Sequence, residues 1–503
     1  MPPPGEVSER PKERDWKSRS RVLPGSRVQI PLSPLLEYGR GSAASVCPCS
    51  HAQPLAAQVR RPALKRQTIA ISIAGASAIA AGALAVCAGG ASGQTTNPVY
   101  QSLRRDVIVN ADVWATKPGI LAAGLGFVSI IGVPDADATD ISVAQQAVQA
   151  VGGAFNVGLS CPSTPTPPQR ALTSAVTPAQ VANNGAPVYF GAGLPVEFSW
   201  PVRPSTVDPG DFRVTLNDQS VVTPLTASVN PNYEYNERST VVLLGHFGNN
   251  LPQTDPAGRF ATKIEVVSDS TPMQLIGPGG RLVSAVGMSA TKTTSPYDDQ
   301  PADPTQWTGP RLVGGKISRM STAGEQAPAV LRSTLPNDGR ALYGSRARFR
   351  VRVLTTGGFS PDGIRGLYPT DYRNFFQVIA VTRSGRRVVL VEPGRTYRID
   401  GYPLRVVGLA DLGVKQDSYD YCYAEDHDNQ IDIILDGDIH AASRVRFVRI
   451  PAAGNGYHPF YNPGGPGSTP VAGVRYTAPG PRMTQRITNA LSNPLTVTFR
   501  PKG

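Results

Sequence analysis

The sequence predicts a mainly β protein with two antiparallel sandwich domains behind a small helix-containing N-terminal subdomain. Three observations predict it. The 503 residues include 51 glycines and 48 prolines, which punctuate short strands more often than long helices. From position 186 onward, apolar residues alternate with polar ones in short runs, the period of a half-buried strand. Those runs follow one another closely, each bounded by Gly, Pro, Asp or Ser, as in a sandwich rather than an α/β fold. The length leaves room for two or three domains.

Residues 1–66 hold twelve Lys/Arg against five Asp/Glu, whereas residues 67–503 hold 37 against 32. The basic excess therefore sits mostly in the N-terminal segment, and the bulk charge of the remainder gives no reason to expect a nucleic-acid partner. Residues 7–33 resemble the frame translation of a bacterial serine tRNA gene. Asp15-Trp16-Lys17 matches an anticodon arm, and Val28-Gln29-Ile30-Pro31 matches a T-loop. On that reading 1–58 is a spurious extension and the start lies at Val59; the alternative is a genuine disordered basic arm.

Residues 59–93 have the three parts of a secretory signal peptide. Arg60, Arg61, Lys65 and Arg66 are followed by an uncharged Ala/Ile/Leu stretch, Thr68 to Val86, and then by small residues through Gly93. Cleavage is expected near Gly93–Gln94, with no membrane attachment afterwards; the rival is an uncleaved anchor helix. "RRPALK" resembles the twin-arginine export motif without its aromatic at Ala63, so general secretion stays open. "LAVC" resembles a lipobox, with Val86 where Gly, Ala or Ser is usual, which leaves lipidation of Cys87 as an alternative.

Export implies an oxidising compartment. Cys161 and Cys422 are the two cysteines beyond the leader, and a disulfide between them is expected, against two separate buried thiols. Residues 94–160 read as a small apolar α+β subdomain. "DVIVNADVWA" alternates like a strand, and "TDISVAQQAVQAVGGAF" has helical spacing at Ile141, Ala144, Val148 and Val151, with Asp140 as cap. Residues 161–185 are a Pro/Thr-rich linker.

Residues 186–290 form the first sandwich, 291–342 read as a loop-rich linker, and 343–503 form the second sandwich. In the first, Phe212, Val214 and Leu216 share a face before a turn at Asn217-Asp218. In the second, "RSGR" and "PGRTY" mark turns between strands. "VEFSWPVRPSTVDPGDFRVTL", Val196 to Leu216, resembles the opening of bacterial Ig-like domains, which implies Ig-like sandwiches and no particular function.

The densest polar cluster is "YDYCYAEDHDNQIDIILDGDIH", Tyr419 to His440. Asp426, Asp428, Gln430 and Asp432 alternate, so a loop can aim their oxygens at one hard cation such as calcium. Ile431 and Gly437 stand where an EF-hand needs its glycine and bidentate Glu, which excludes that motif. The structural alternative is a strand with Ile431, Ile433 and Leu435 inward and Asp432 and Asp436 in water. A His427/His440 pair with Asp438 is a second metal possibility. No HExxH, zinc-spaced Cys/His set, P-loop, G-x-S-x-G or G-x-G-x-x-G occurs. His246 reads as structural. Tyr457, Phe460 and Tyr461 read either as a surface for a glycan or protein partner or as a lid on the sandwich.

The resulting expectation is an exported, non-enzymatic structural or binding protein of the bacterial cell envelope or extracellular space, with no required cofactor. The alternative is a secreted, calcium-assisted hydrolase using Asp426, Asp428, Asp432, Asp438 and His440. Ligand identity and oligomeric state leave no mark in the sequence.

Overall fold

Strands dominate, as the alternation demands. The computed structural model describes residues 97–124, 192–248, 258–291, 310–322, 325–334, 338–359, 367–412, 429–461 and 482–501, with short pieces at 154–155, 172–173, 184–185, 256, 361 and 477–478. Cys161, Cys422, Asp426, His427, Asp428 and the helix expected after Asp140 lie outside them, as do the leader and residues 1–58.

The first core begins earlier than the sequence suggests. After a short helix, Pro98–Leu103, capped by the Asn97 side chain, come β1 (Ile108–Asp112), β2 (Ile120–Ala123) and a two-residue parallel pair, β3 (Ala154–Phe155) with β4 (Leu172–Thr173). Then follow β5 (Ala192–Phe198), β6 (Phe212–Leu216), β7 (Val221–Val222), β8 (Thr226–Ser228), β9 (Thr240–Gly245), β10 (Ala261–Val266), β11 (Gln274–Ile276), β12 (Leu282–Ser284) and β13 (Ser289–Ala290). Two four-stranded antiparallel sheets, β2-β5-β9-β8 and β13-β10-β6-β7, contribute to one apolar core. Leu194, Val196, Phe198, Phe212, Val214, Leu216, Leu243 and Ile264 are fully buried in it. Trp200 anchors one end, its indole Nε1 donating to the Ala115 carbonyl at 2.8 Å. Gly277 permits this: a Cβ there would lie 2.3 Å from the Trp200 ring.

Since β2 pairs with β5, residues 97–124 are not a separate subdomain; their described strands complete the first core. The alternation in "DVIVNADVWA" gave the strand but not its partner.

The second core contains β14 (Leu312–Arg319), β15 (Phe349–Thr355), β16 (Gln377–Val381), β17 (Arg387–Leu390), β18 (Tyr397–Ile399), β19 (Tyr402–Ala410), β20 (Gln430–Gly437), β21 (Val445–Ile450), the short pair β22 (Phe460–Tyr461) and β23 (Thr477–Ala478), then β24 (Met483–Arg486) and β25 (Thr488–Asn489). A six-stranded sheet, β18-β19-β20-β15-β14-β25, and a four-stranded sheet, β17-β16-β21-β24, enclose it. Val351, Val353, Val406, Ile433 and Leu435 meet Val378, Leu390 and Val448. This layering is compatible with a β-sandwich. The expected turn at "RSGR" joins β16 to β17, with Gly385 at φ +83°, a conformation open to glycine without Cβ strain.

Two boundaries move. The interval 291–342 contains β14, an interior strand of the six-stranded sheet. Gly314-Gly315 hides it from propensity because glycine is depleted in strands, yet a Cβ on Gly314 would lie 2.9 Å from the Trp114 ring. The C-terminal strand β26 (Thr496–Phe499) leaves the second core and pairs with β1, burying Val497 in the first.

Candidate functional site

Period two places alternate residues of a strand on opposite faces. On β14, β15 and β20, Ile317, Val351, Val353, Ile431 and Ile433 face the second core. Lys316, Arg350, Arg352 and Asp432 must therefore occupy the other face, and the register aligns Lys316, Arg352, Asp432 and Ala410 across four strands. That outer face does not meet water. Asp112 at the end of β1, Glu237 just before β9, and Glu325 beyond β14 close over it.

Arg352 is the centre, its side chain 1% exposed. Its Nε donates to Asp432 Oδ1 at 2.8 Å, and its Nη2 donates to Asp411 Oδ2 at 2.5 Å, Glu325 Oε1 at 2.9 Å and Asp432 Oδ2 at 3.0 Å. Its Nη1 lies 3.4 Å from both Asp112 Oδ2 and Glu237 Oε1. Arg350 Nη1 reaches Glu325 Oε1 at 2.6 Å and Asp432 Oδ2 at 3.1 Å. Lys316 Nζ pairs with Asp112 and donates to the carbonyls of Pro494 and Leu495 at 3.1 and 3.0 Å.

Three cations thus meet five carboxylates in a buried seam. Burial alone would push Asp112 up, but Lys316, Arg352 and Arg350 hold it below its usual value. Glu325 is likewise pushed up by burial, yet held below its usual value by Arg352, Arg350 and a hydrogen bond with Asp411. Two carboxyl groups can share such a bond only with one proton between them, which lowers the excess negative charge. Burial opposes the charge on Arg352, and Asp411, Asp432, Glu325 and Glu237 more than compensate, raising it well above its usual value.

Glu325, Asp411 and Asp432 offer oxygens within 4.8 Å of one another, close enough to hold a metal ion. Arg352 Nη2 bonds to all three, so a guanidinium occupies their point of convergence.

Beside the seam lies a neutral cluster. Glu197, paired with Thr240 across β5 and β9, is fully buried. Its Oε1 accepts from Asn429 Nδ2 at 3.2 Å, and Oε2 has no hydrogen-bond partner among the described residues. Asn429 also donates to the Thr355 carbonyl at 2.8 Å. Burial pushes Glu197 up to about 8, against weaker opposition from its own backbone and Asn429, so its carboxyl is protonated at neutral pH.

Of the residues expected to bind calcium, Gln430 and Asp432 lie on one buried face of β20. Asp432 does not face water, contrary to the structural alternative; the alternation was right, but the first core covers that face. Asp436 is half-buried and paired with Arg405 at 2.6 Å. Asp438 caps the turn Ile439–Ala442. Its Oδ1 lies 2.8 Å from His440 Nδ1, and His440 stacks on Tyr402 with ring centroids 4.7 Å apart. His440 is exposed and Asp432 is sealed, so the structure does not bring them together. His246 is exposed rather than packed. Phe460 stacks on Phe375 at 4.5 Å inside the second core, as a lid residue does. Tyr457 stays half-buried at the surface, its hydroxyl accepting from Gln377 Nε2.

Sequence reasoning missed Asp112, Glu237, Lys316, Glu325, Arg350, Arg352 and Asp411. The available signal was a charge flanked by apolar residues on both sides, as in "RFRVRV" and "QIDIIL". Comparison with family models, curated proteins and solved structures found no match to this chain.

Proposed function

We propose that this chain is an exported, non-enzymatic structural or binding protein built from Ig-like sandwiches. The observation that carries the reading is the seam. The largest convergence of ionisable groups among the described residues is sealed, with its three cations each paired to buried carboxylates, whereas a hydrolase needs such groups in a concave, open pocket. A sealed seam suits a protein that holds two β cores in a fixed relation and presents their outer surfaces. The Ig-like reading draws on Val196–Leu216, which runs from β5 through a turn to β6, strands of two different sheets sharing one core. Export draws on the leader pattern at Arg60–Gly93.

Fractionation of cells expressing the full chain, with mass spectrometry of the recovered N-terminus, tests this. A product outside the cytosol beginning near Gln94 is expected. A soluble cytosolic chain that keeps its leader contradicts export. A hydrolytic activity abolished by Asp432→Asn in a protein that still folds contradicts the non-enzymatic reading.

A further inference from the structure

The outward face of the four-stranded sheet contrasts with the sealed one. Val378, Leu390 and Val448 point into the second core, so Arg387 on β17, Phe447 and Arg449 on β21 and Arg486 on β24 project the other way, with β16 lying between β17 and β21. The register sets Phe447 between Ile379 and Arg486, and Arg449 between Gln377 and Thr484. Arg482, just before β24, extends the row along the edge. Arg387, Arg482 and Arg486 are exposed, and Arg449 and Phe447 are half-buried. Among the described residues, Glu392 takes Arg373 at 2.8 Å and Asp400 takes Arg444, just before β21, at 3.0 Å. Among the described residues, no carboxylate pairs with Arg387, Arg449, Arg482 or Arg486. Arg449 donates instead to the neutral Gln377 amide at 3.1 Å. Burial, and then repulsion from Arg482 and Arg387, press the Arg449 guanidinium below its usual value, which shows that these cations crowd one another.

We propose that this face binds a linear acidic polysaccharide, whose carboxylate or sulfate groups are taken by the guanidinium forks of Arg387, Arg449, Arg482 and Arg486. Four arginines on one sheet face with no carboxylate partner among the described residues call for an anionic partner, and the planar fork fits carboxylate and sulfate oxygens two at a time. Neighbouring strands lie about 4.8 Å apart, so Arg387 stands two strand spacings from Arg449 across β16, with Arg486 one strand beyond, and the row meets several charges along an extended chain at once. A single-stranded nucleic acid would share the charge but would also need open aromatic platforms for its bases. Here the Arg387 guanidinium lies 5.4 Å from the Phe447 ring centre and the Arg373 guanidinium 5.0 Å from that of Tyr457, so both rings already carry a cation. The choice of a polysaccharide over other polyanions rests on the exported, binding-protein reading; the cationic face does not.

The test measures binding of the full chain to polygalacturonate, a heparin-type sulfated polysaccharide, uncharged dextran and single-stranded DNA over a range of salt concentrations. The expected result is binding to one or both acidic polysaccharides that weakens steeply with salt, with none to dextran. Arg387→Glu/Arg482→Glu should weaken it about ten-fold or more, while Arg213→Glu/Arg332→Glu, the same charge change on the first core, should leave it within about two-fold. Unchanged melting temperatures verify folding; should the face double variant fail to fold, Arg482→Glu alone serves, since that residue precedes its strand and is exposed. Absence of binding, equal loss in both double variants, or tighter binding to DNA than to either polysaccharide overturns the proposal. These measurements use purified protein, so they fail or succeed independently of the fractionation that tests export.

Discussion

Arg352 and Arg449 both project from the outward face of a sheet enclosing the same core, and their surroundings are opposite. Arg352 lies within 3.4 Å of oxygens from five carboxylates under the cover of the first core. Arg449 has a neutral amide and two arginines that repel it. The first arrangement satisfies every N–H group it can by enclosing it, and its specificity is spent inside the molecule. The second has no carboxylate partner among the described residues. One face of the second core is thus an internal joint, and the other is the face proposed above for recognition.

The largest expected effect breaks the sealed face. Arg352→Ala leaves five carboxylates buried around a void and should cost about 3–5 kcal/mol, the range for removing one partner of a buried ion pair; chemical denaturation measures it. Replacing the group with apolar residues of matched volume should cost less, because desolvation of the charges disappears with them. Phe460→Ala, a cut in the second core well away from the charges, should cost about 3 kcal/mol and leave the ionic-strength dependence of unfolding unchanged.

A smaller and pH-dependent effect is expected at Glu197. Its folded-state value is raised from 4.5 to about 8. The folded form therefore holds a proton that the unfolded chain releases between those limits. The contribution is fully present below about pH 4.5 and is lost as pH rises to about 8, a change on the order of a few kcal/mol. Glu197→Gln keeps a neutral buried side chain and should flatten that part of the stability profile, measured by denaturation from pH 4.5 to 8.5. An unchanged slope would remove Glu197 from the account.

Part of the fold was legible because period two survives any tertiary setting: β6 and the β16–β17 turn fall where alternation and Gly put them. The sealed face was not, and Asp432 shows why. Alternation correctly set it opposite Ile431 and Ile433, but alternation cannot say whether the opposite face meets water or another core. Its partners come from positions 350, 352 and, through them, 112, 237, 325 and 411, so no local spacing joins them. β14 was hidden by Gly314-Gly315, whose missing side chains make room for Trp114. The near balance of bulk charge concealed the cationic face in a similar way, since it averages carboxylates buried in the seam with arginines left outside.

Joined through the outward face of the six-stranded sheet, the two cores should unfold as one cooperative unit. Scanning calorimetry of the full chain tests it directly. One unfolding transition is expected for the wild-type protein and two separated transitions for Arg352→Ala. Two transitions in the wild type, or a single transition that Arg352→Ala leaves undivided at an unchanged temperature, would contradict it.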